Sequence, residues 1–258
     1  MTIDPRTLRD LAVEVVESAG AALRDRALPT TIATKSSARD LVSEADRTSE
    51  QRITEALSEA RPDDAILGEE GTARPGTSGV RWVVDPLDGT TNYLYGLPSW
   101  SVSIAAETED DGAHRTLAAA VHQPTTGETF AAARGCGASQ GSAPLRANDP
   151  VPLGEALVCT GFAYGTEVRS RQAAQLVAVL PRVRDLRRDG SAALELCWVA
   201  AGRLDGFYED DLGRWDWLAG ALIAQEAGAV VTPLREGVVA AGPALHAELT
   251  AALAAAEA

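Results

Sequence analysis

One stretch constrains the chain more than any other. It is Trp82-Val83-Val84-Asp85-Pro86-Leu87-Asp88-Gly89-Thr90-Thr91-Asn92-Tyr93, where an apolar run meets two carboxylates, a glycine and two hydroxyls. Residues 80–84 are apolar enough for a strand with most of its surface buried, so the acids at its end are held rigidly. Pro86 has no amide hydrogen and a fixed φ, and is expected to end the sheet pairing and turn the backbone, leaving the Leu87 carbonyl free. Asp85 and Asp88 can then converge on one point, and hard oxygen donors that close together suit Mg²⁺ better than zinc or copper. Gly89-Thr90-Thr91-Asn92 reads as the opening of a short helix whose unpaired amides favour an anion. Taken alone, the same residues are also a strand-end acid, an Asp-Gly turn and a threonine cap.

Two other acidic positions support the chemical reading. Gly68-Glu69-Glu70 ends a short apolar strand upstream, and Trp215-Asp216 opens an apolar helix far downstream. In this order the three segments resemble the D-P-[IL]-D-G-T-T-N signature and companion motifs of the inositol monophosphatase family of metal-dependent, lithium-sensitive phosphatases, over roughly the whole chain. The resemblance implies a layered α+β or α/β fold, an αβαβα sandwich of the sugar-phosphatase type. Residues 1–149 would form a metal-binding subdomain with an antiparallel meander, and residues 150–258 a smaller α/β subdomain, the two flanking one cleft as a single phosphatase unit.

The resemblance also implies a ligand set. One Mg²⁺ would be held by Glu69, Asp85 and the Leu87 carbonyl, a second by Asp85, Asp88 and Asp216, with room for a third, weaker one near Glu69. Glu69 and Thr90, the latter oriented by Asp46, would deprotonate the attacking water. Asp88, Gly89, Thr90 and Asp216 would meet the phosphate end of the substrate. Gly190 and Ala192 would contact its hydroxyls. Glu209 lies seven residues before Asp216, the spacing at which inositol-specific relatives carry a glutamate that hydrogen-bonds the ring.

Each of these residues has a plainer role open to it. Asp46 stands three after Ser43, a capping-box spacing with Asp in place of Glu, at the start of a helix reaching about residue 60. Ser191 is a ready N-cap, Asp216 an acid favoured by a helix dipole, and Lys35 a solvated surface charge unless it serves the phosphate or the outer shell of a metal. Glu69 is preferred to Glu70 because it falls where the family places its ligand and general base.

Along the chain, Asp4-Pro5 starts a helix with apolar residues at helical spacing to Leu23. A short strand at residues 31–35 follows. The Gly-, Pro-, Thr- and Ser-rich segment 71–79 is expected to be a mobile loop or lid. Residues 101–107, 116–122 and 128–133 read as an antiparallel meander. After Asn148-Asp149-Pro150 come a strand near 156–160, a helix near 168–180, a strand near 183–187, a helix to about 201, a strand ending at Glu209, the Trp215 helix to Ala227, and an alanine-rich terminal helix from Pro243. His122 is expected to be a strand histidine with a structural hydrogen bond.

The formal charge is −14, and no basic run is longer than Arg187-Arg188, which argues against a nucleic-acid surface. Three widely spaced cysteines without a C-x-x-C pair, no leader pattern and no 18-residue apolar segment suggest a soluble cytoplasmic protein with no membrane partner. The expected activity is hydrolysis of a small-molecule phosphate monoester, first of all myo-inositol monophosphate. Histidinol phosphate, fructose 1,6-bisphosphate and 3'-phosphoadenosine 5'-phosphate are the alternatives within the family. A non-catalytic interaction protein is the alternative outside it, and a homodimer is the expected assembly.

Overall fold

The structure is a computed structural model and describes residues 4–26, 32–34, 41–110 and 112–256. Lys35 and the ends of the strand expected at 31–35 lie outside the described residues. Helix α1 (Pro5–Arg24) is capped by Asp4, whose side chain accepts the Arg6 amide, with proline at its first position. The short strands β1 (Ile32–Thr34) and β2 (Leu41–Ser43) pair antiparallel and lead into α2 (Glu44–Ala60). A complete capping box between Ser43 and Asp46 opens that helix.

Then follow β3 (Ala65–Gly68), β4 (Ala73–Arg74), β5 (Val80–Asp88), α3 (Thr90–Leu94), β6 (Ser101–Asp110), β7 (Ala113–Gln123), β8 (Glu128–Ala133), β9 (Ala138–Gln140) and β10 (Ala143–Pro144). The second half holds β11 (Leu157–Thr160), α4 (Thr166–Val179), β12 (Asp185–Arg187), α5 (Ala192–Ala200), β13 (Gly206–Glu209) and α6 (Arg214–Glu226). It closes with β14 (Val230–Leu234), β15 (Gly237–Ala241) and α7 (Pro243–Ala254).

Strands β3 to β10 make one sheet of order β10-β9-β8-β7-β6-β5-β3-β4, and β11 to β15 a second of order β12-β11-β13-β15-β14. Alternation along β5 and β6 sends Trp82, Val84, Ile104 and Ala106 to a core shared with α1 and α2. Val83 and Ala105 point the other way, into a core built with α5, α6 and one face of the second sheet, including Phe207, Val238 and Ala240. The opposite face of that sheet, through Val158, Tyr208 and Val239, packs on Val179 of α4 and on Leu245 and Leu249 of α7. The layers therefore run helix, sheet, helix, sheet, helix, the expected αβαβα sandwich.

Two local expectations fail. Pro86 does not end β5: pairing with β6 resumes at Asp88↔Ser101 after Asp85↔Ser103, with a register shift between them. The missing amide is absorbed by a bulge, which re-aims the acids without stopping the strand. The segment 71–79 is no lid either. Ala73 and Arg74 pair with β3, the amides of Thr77 and Ser78 donate to the Asp63 carbonyl, and the Ser78 hydroxyl donates to buried Asp64 at 2.6 Å. Asp64 is itself fixed by the Trp82 indole N–H at 2.9 Å and by Arg61.

Candidate metal and phosphate site

The carboxylates come from separate elements. Asp85 and Asp88 sit on the bulged end of β5, Glu69 just past β3, and Asp216 in the first turn of α6. β3 runs parallel to β5, with Gly68 opposite Val84, so Glu69 emerges beside Asp85, and the Glu69 amide donates to the Val84 carbonyl at 3.1 Å. All four line one cleft of about 370 Å³, together with Leu87, Gly89, Thr90, Gly190, Ala192 and Glu209. Asp46 lies behind this wall, fully buried, and reaches the cleft through Thr90.

Electrostatics shows how tightly the acids are gathered. Burial, then the charges of Glu69, Asp88 and Asp216, push the Asp85 carboxyl well above the usual carboxylate range. Burial raises Asp88 to about 7, against the opposing effect of hydrogen bonds from Ser191 and Ala193. Carboxylates that repel one another at 1% and 8% exposure are stable as anions only beside a cation. Arg188 is the basic side chain among the described residues lining the cleft, so the protein does not itself supply that charge in full. An all-oxygen donor set of this kind fits Mg²⁺.

The supporting bonds are specific. Helix α2 presents Asp46, Ser49 and Glu50 on one face. The Asp46 carboxylate accepts the Ser43 amide at 2.7 Å and the Thr90 hydroxyl at 2.9 Å, so it caps its helix and orients the threonine at once. Thr90 Oγ1 also lies 3.1 Å from the Leu87 carbonyl, which stands outside the ladder and so does not go unpartnered as expected. Ser49 donates to the Pro86 carbonyl at 2.9 Å. Glu50 accepts the amides of Glu70 and Thr72 at 2.8 and 3.0 Å and the Thr72 hydroxyl at 2.7 Å, pinning the turn that carries Glu69.

On the other side, Ser191 caps α5 as expected and also donates to Asp88 Oδ2 at 2.6 Å, where the Ala193 amide arrives at 2.9 Å. Asp216 Oδ2 accepts the Gly213 amide at 2.6 Å. Gly89 has φ 88°, and a Cβ there would fall 2.9 Å from the Ser99 carbonyl and 3.1 Å from that of Gly190. Only glycine fits both the left-handed turn and this close approach. Asn92 donates to the carbonyls of Ser99 and Asp189, both at 2.6 Å, fastening the Gly190 loop to the β5 motif.

Glu209 is 9% exposed, and burial, then Glu195 and Asp216, raise its carboxyl well above the usual range, with Arg188 opposing. Its carboxylate lies directly against Gly161, where a Cβ would stand 2.0 Å from Oε2. Glu195 accepts the amides of Asp189 and Gly190, each at 2.8 Å, and burial raises it to about 8. With Cys159 and Asp189 it offers donor atoms within 4.8 Å of one another, but its Oε1 is already committed to the loop backbone.

Sequence reasoning missed Ser49, Glu50, Glu195 and Arg188, and saw only the cap in Ser191. For Ser49 and Glu50 a signal existed: they follow Asp46 by three and four residues and share its helix face. His122, read as structural, bonds Thr129 Oγ1 at 2.9 Å, away from the cleft.

Five alternating layers around a carboxylate-lined cleft are the architecture of a phosphoric monoester hydrolase of the sugar-phosphatase type. The chain belongs to the inositol monophosphatase family, whose model matches residues 4–257. That family is generally metal-dependent. An inositol-1-monophosphatase of Mycobacterium bovis is 42% identical, over 97% of this chain and 94% of the relative. A protein of Pasteurella multocida named Nus factor SuhB is 41% identical, over 79% of this chain and 76% of its own. The crystal structure of the extragenic suppressor protein suhB from Bartonella henselae superposes with a TM-score of 0.88 at 36% identity, covering 96% of this chain and 98% of that one.

Proposed function

We propose that this protein is a Mg²⁺-dependent phosphomonoesterase that converts myo-inositol monophosphate to inositol and phosphate. One juxtaposition carries the reading: Glu209, a buried acceptor for ring hydroxyls, lines the same cleft as Glu69, Asp85, Asp88 and Asp216. Glu69, Asp85 and the Leu87 carbonyl would hold one Mg²⁺, and Asp85, Asp88 and Asp216 a second, with space for a third near Glu69. When bound, the ions acidify water and offset charge on the phosphate and the leaving alkoxide.

The chain's own residues do the rest. Glu69 accepts the proton of the attacking water, with the Thr90 hydroxyl held beside it by Asp46. The amides of Gly89 and Thr90 take up phosphate charge. The backbone of Gly190 and Ala192 bounds the ring, and Glu209 accepts from its hydroxyls. The name of the mycobacterial relative supports inositol 1-phosphate as the substrate. The relatives named Nus factor SuhB motivate the alternative of a non-catalytic interaction protein; the gathered carboxylates favour catalysis, since a scaffold has no use for four mutually repelling acids. Three free thiols support a cytoplasmic setting, and exposed Tyr95 and Leu97 are consistent with a homodimer.

The test is phosphate release from inositol 1-phosphate, histidinol phosphate, fructose 1,6-bisphosphate and 3'-phosphoadenosine 5'-phosphate, with and without Mg²⁺. Inositol 1-phosphate should be preferred, and Asp88→Asn should stay folded and lose Mg²⁺-dependent turnover. Near-normal turnover in that variant would sink the assignment, and preference for another substrate would move it within the family.

A further inference from the structure

Part of the cleft wall is built from two segments that are far apart in sequence. One is the loop Gly161-Phe162-Ala163-Tyr164-Gly165 after β11, and the other is the end of β13 at Glu209 with Asp211 and Leu212 beyond it. A single side chain of α4 joins them. Gln172, 3% exposed, accepts the Ala163 amide at 2.9 Å through Oε1. Its Nε2 donates to Asp210 Oδ1 at 2.9 Å and to the Asp210 carbonyl at 3.1 Å. A carboxamide accepts through its oxygen and donates through its nitrogen from one planar group, as this bridge requires.

Asp210 is a firm anchor for that bridge. It is fully buried, and its other oxygen accepts from Arg171 Nε at 2.8 Å and from Gln175 Nε2 at 3.5 Å, with Arg235 at 3.9 Å. The next residue, Asp211, has φ 64°, so the backbone leaves β13 through a left-handed turn that the buried carboxylate just before it holds in place. Loop and strand end thus meet twice, at the Gly161–Glu209 contact and through Gln172. Gln172 is not among the residues that line the cleft, so its influence on substrate passes through that wall.

We propose that Gln172 is a positioning residue for substrate selectivity, locking the 161–165 loop against the end of β13 so that Glu209 meets the ring hydroxyls of a polyol phosphate. The inference rests on the phosphomonoesterase reading and deepens it. Gln172 stands apart from the residues that would hold the phosphate and the metal, which lie on β5, just past β3 and on α6.

The experiment compares full-length wild type with Gln172→Met and Gln172→Asn. Methionine keeps the volume and loses both hydrogen-bonding functions; asparagine keeps them but is one methylene too short to span the gap. Two substrates are used: myo-inositol 1-phosphate, and p-nitrophenyl phosphate, which offers the ester but no ring hydroxyls. The KM for inositol 1-phosphate should rise about tenfold, the scale of one lost substrate hydrogen bond, while its kcat changes by less than about twofold. Both constants for p-nitrophenyl phosphate, and the Mg²⁺ half-saturation, should stay unchanged.

Equal losses on both substrates, or no change on either, would overturn the inference. Thermal melts identify any variant that does not fold; if methionine is not tolerated, the polar asparagine variant decides the question. A wild type without activity on inositol 1-phosphate overturns the functional reading and this inference together. An active wild type whose selectivity survives both Gln172 variants overturns the inference alone.

Discussion

At Thr90 one hydroxyl hydrogen faces two acceptors, Asp46 Oδ1 at 2.9 Å and the Leu87 carbonyl at 3.1 Å. The hydroxyl is thereby held in one orientation at the cleft wall, which a methyl group in its place cannot provide. Thr90→Val should lower kcat at least about a hundredfold, the low end for a group assisting proton transfer, and Thr90→Ser should restore much of it. Steady-state phosphate release measures both; a valine variant within about fivefold of wild type would remove Thr90 from the chemistry. His122 allows a prediction on stability. Burial lowers its pKa despite Glu17, with Arg24 acting in the same direction as burial, so the folded state favours the neutral ring. The unfolded chain takes up the proton first as pH falls below its ordinary value of about 6.5, so His122 costs stability on the acid side and nothing above it. Urea midpoints between pH 7.5 and 5 should fall less steeply in His122→Gln than in wild type, and identical slopes would count against this account.

Helix α2 supports the site as one element. Its 17 residues begin in a capping box, bury Ile53 and Leu57 against the first sheet, and turn Asp46, Ser49 and Glu50 toward three different parts of the site. Because a helix is rigid over one turn, those three contacts keep a fixed spacing, and the spacing is handed on to Thr90, Pro86 and the Glu69 turn. Glu50→Ala should free the Glu69 turn and raise the Mg²⁺ needed for half-maximal activity about tenfold, as loss of an outer support to a metal site does. A Mg²⁺ titration with an unchanged midpoint in a folded variant would place Glu50 outside the site. At the far side, Arg214 in the first turn of α6 pairs with buried Glu107 of β6, which also takes Arg81 of β5. The two strands and the helix that carries Asp216 are joined there through one carboxylate.

At the scale of the molecule, the two sheets share a core. Val83, Ala105 and Phe130 of the first sheet and Cys159, Phe207 and Ala240 of the second belong to one cluster with α5 and α6 between them. Neither sheet can lose this layer and keep its inner face covered. Heat unfolding should therefore be a single transition, with tryptophan fluorescence and far-UV circular dichroism coincident. Two separated transitions would show that the sheets hold independently.

What the sequence determined by itself was local. The strand with two acids, the capped helices at Pro5 and Ser43, the meander and the α/β alternation after residue 150 are each written in periodicity and in residues with fixed backbone preferences. β14 and β15 were not legible: β14 carries Pro233 on a sheet edge, and the turn Arg235-Glu236 between them places an arginine at φ 53°, where glycine or asparagine usually marks a hairpin. Nor was the outcome at Pro86, because a bulge needs the neighbouring strand to define it. The resemblance named the acids that would meet, and only the tertiary structure decided which side chains hold them in place. Asp88 and Ser191 are 103 residues apart and bonded at 2.6 Å. Asp46 and Thr90 are 44 apart and bonded at 2.9 Å, and Glu50 reaches Thr72 across 22. Such pairings leave no periodic trace, since a hydrogen bond fixes two side chains in space and asks nothing of the residues between them.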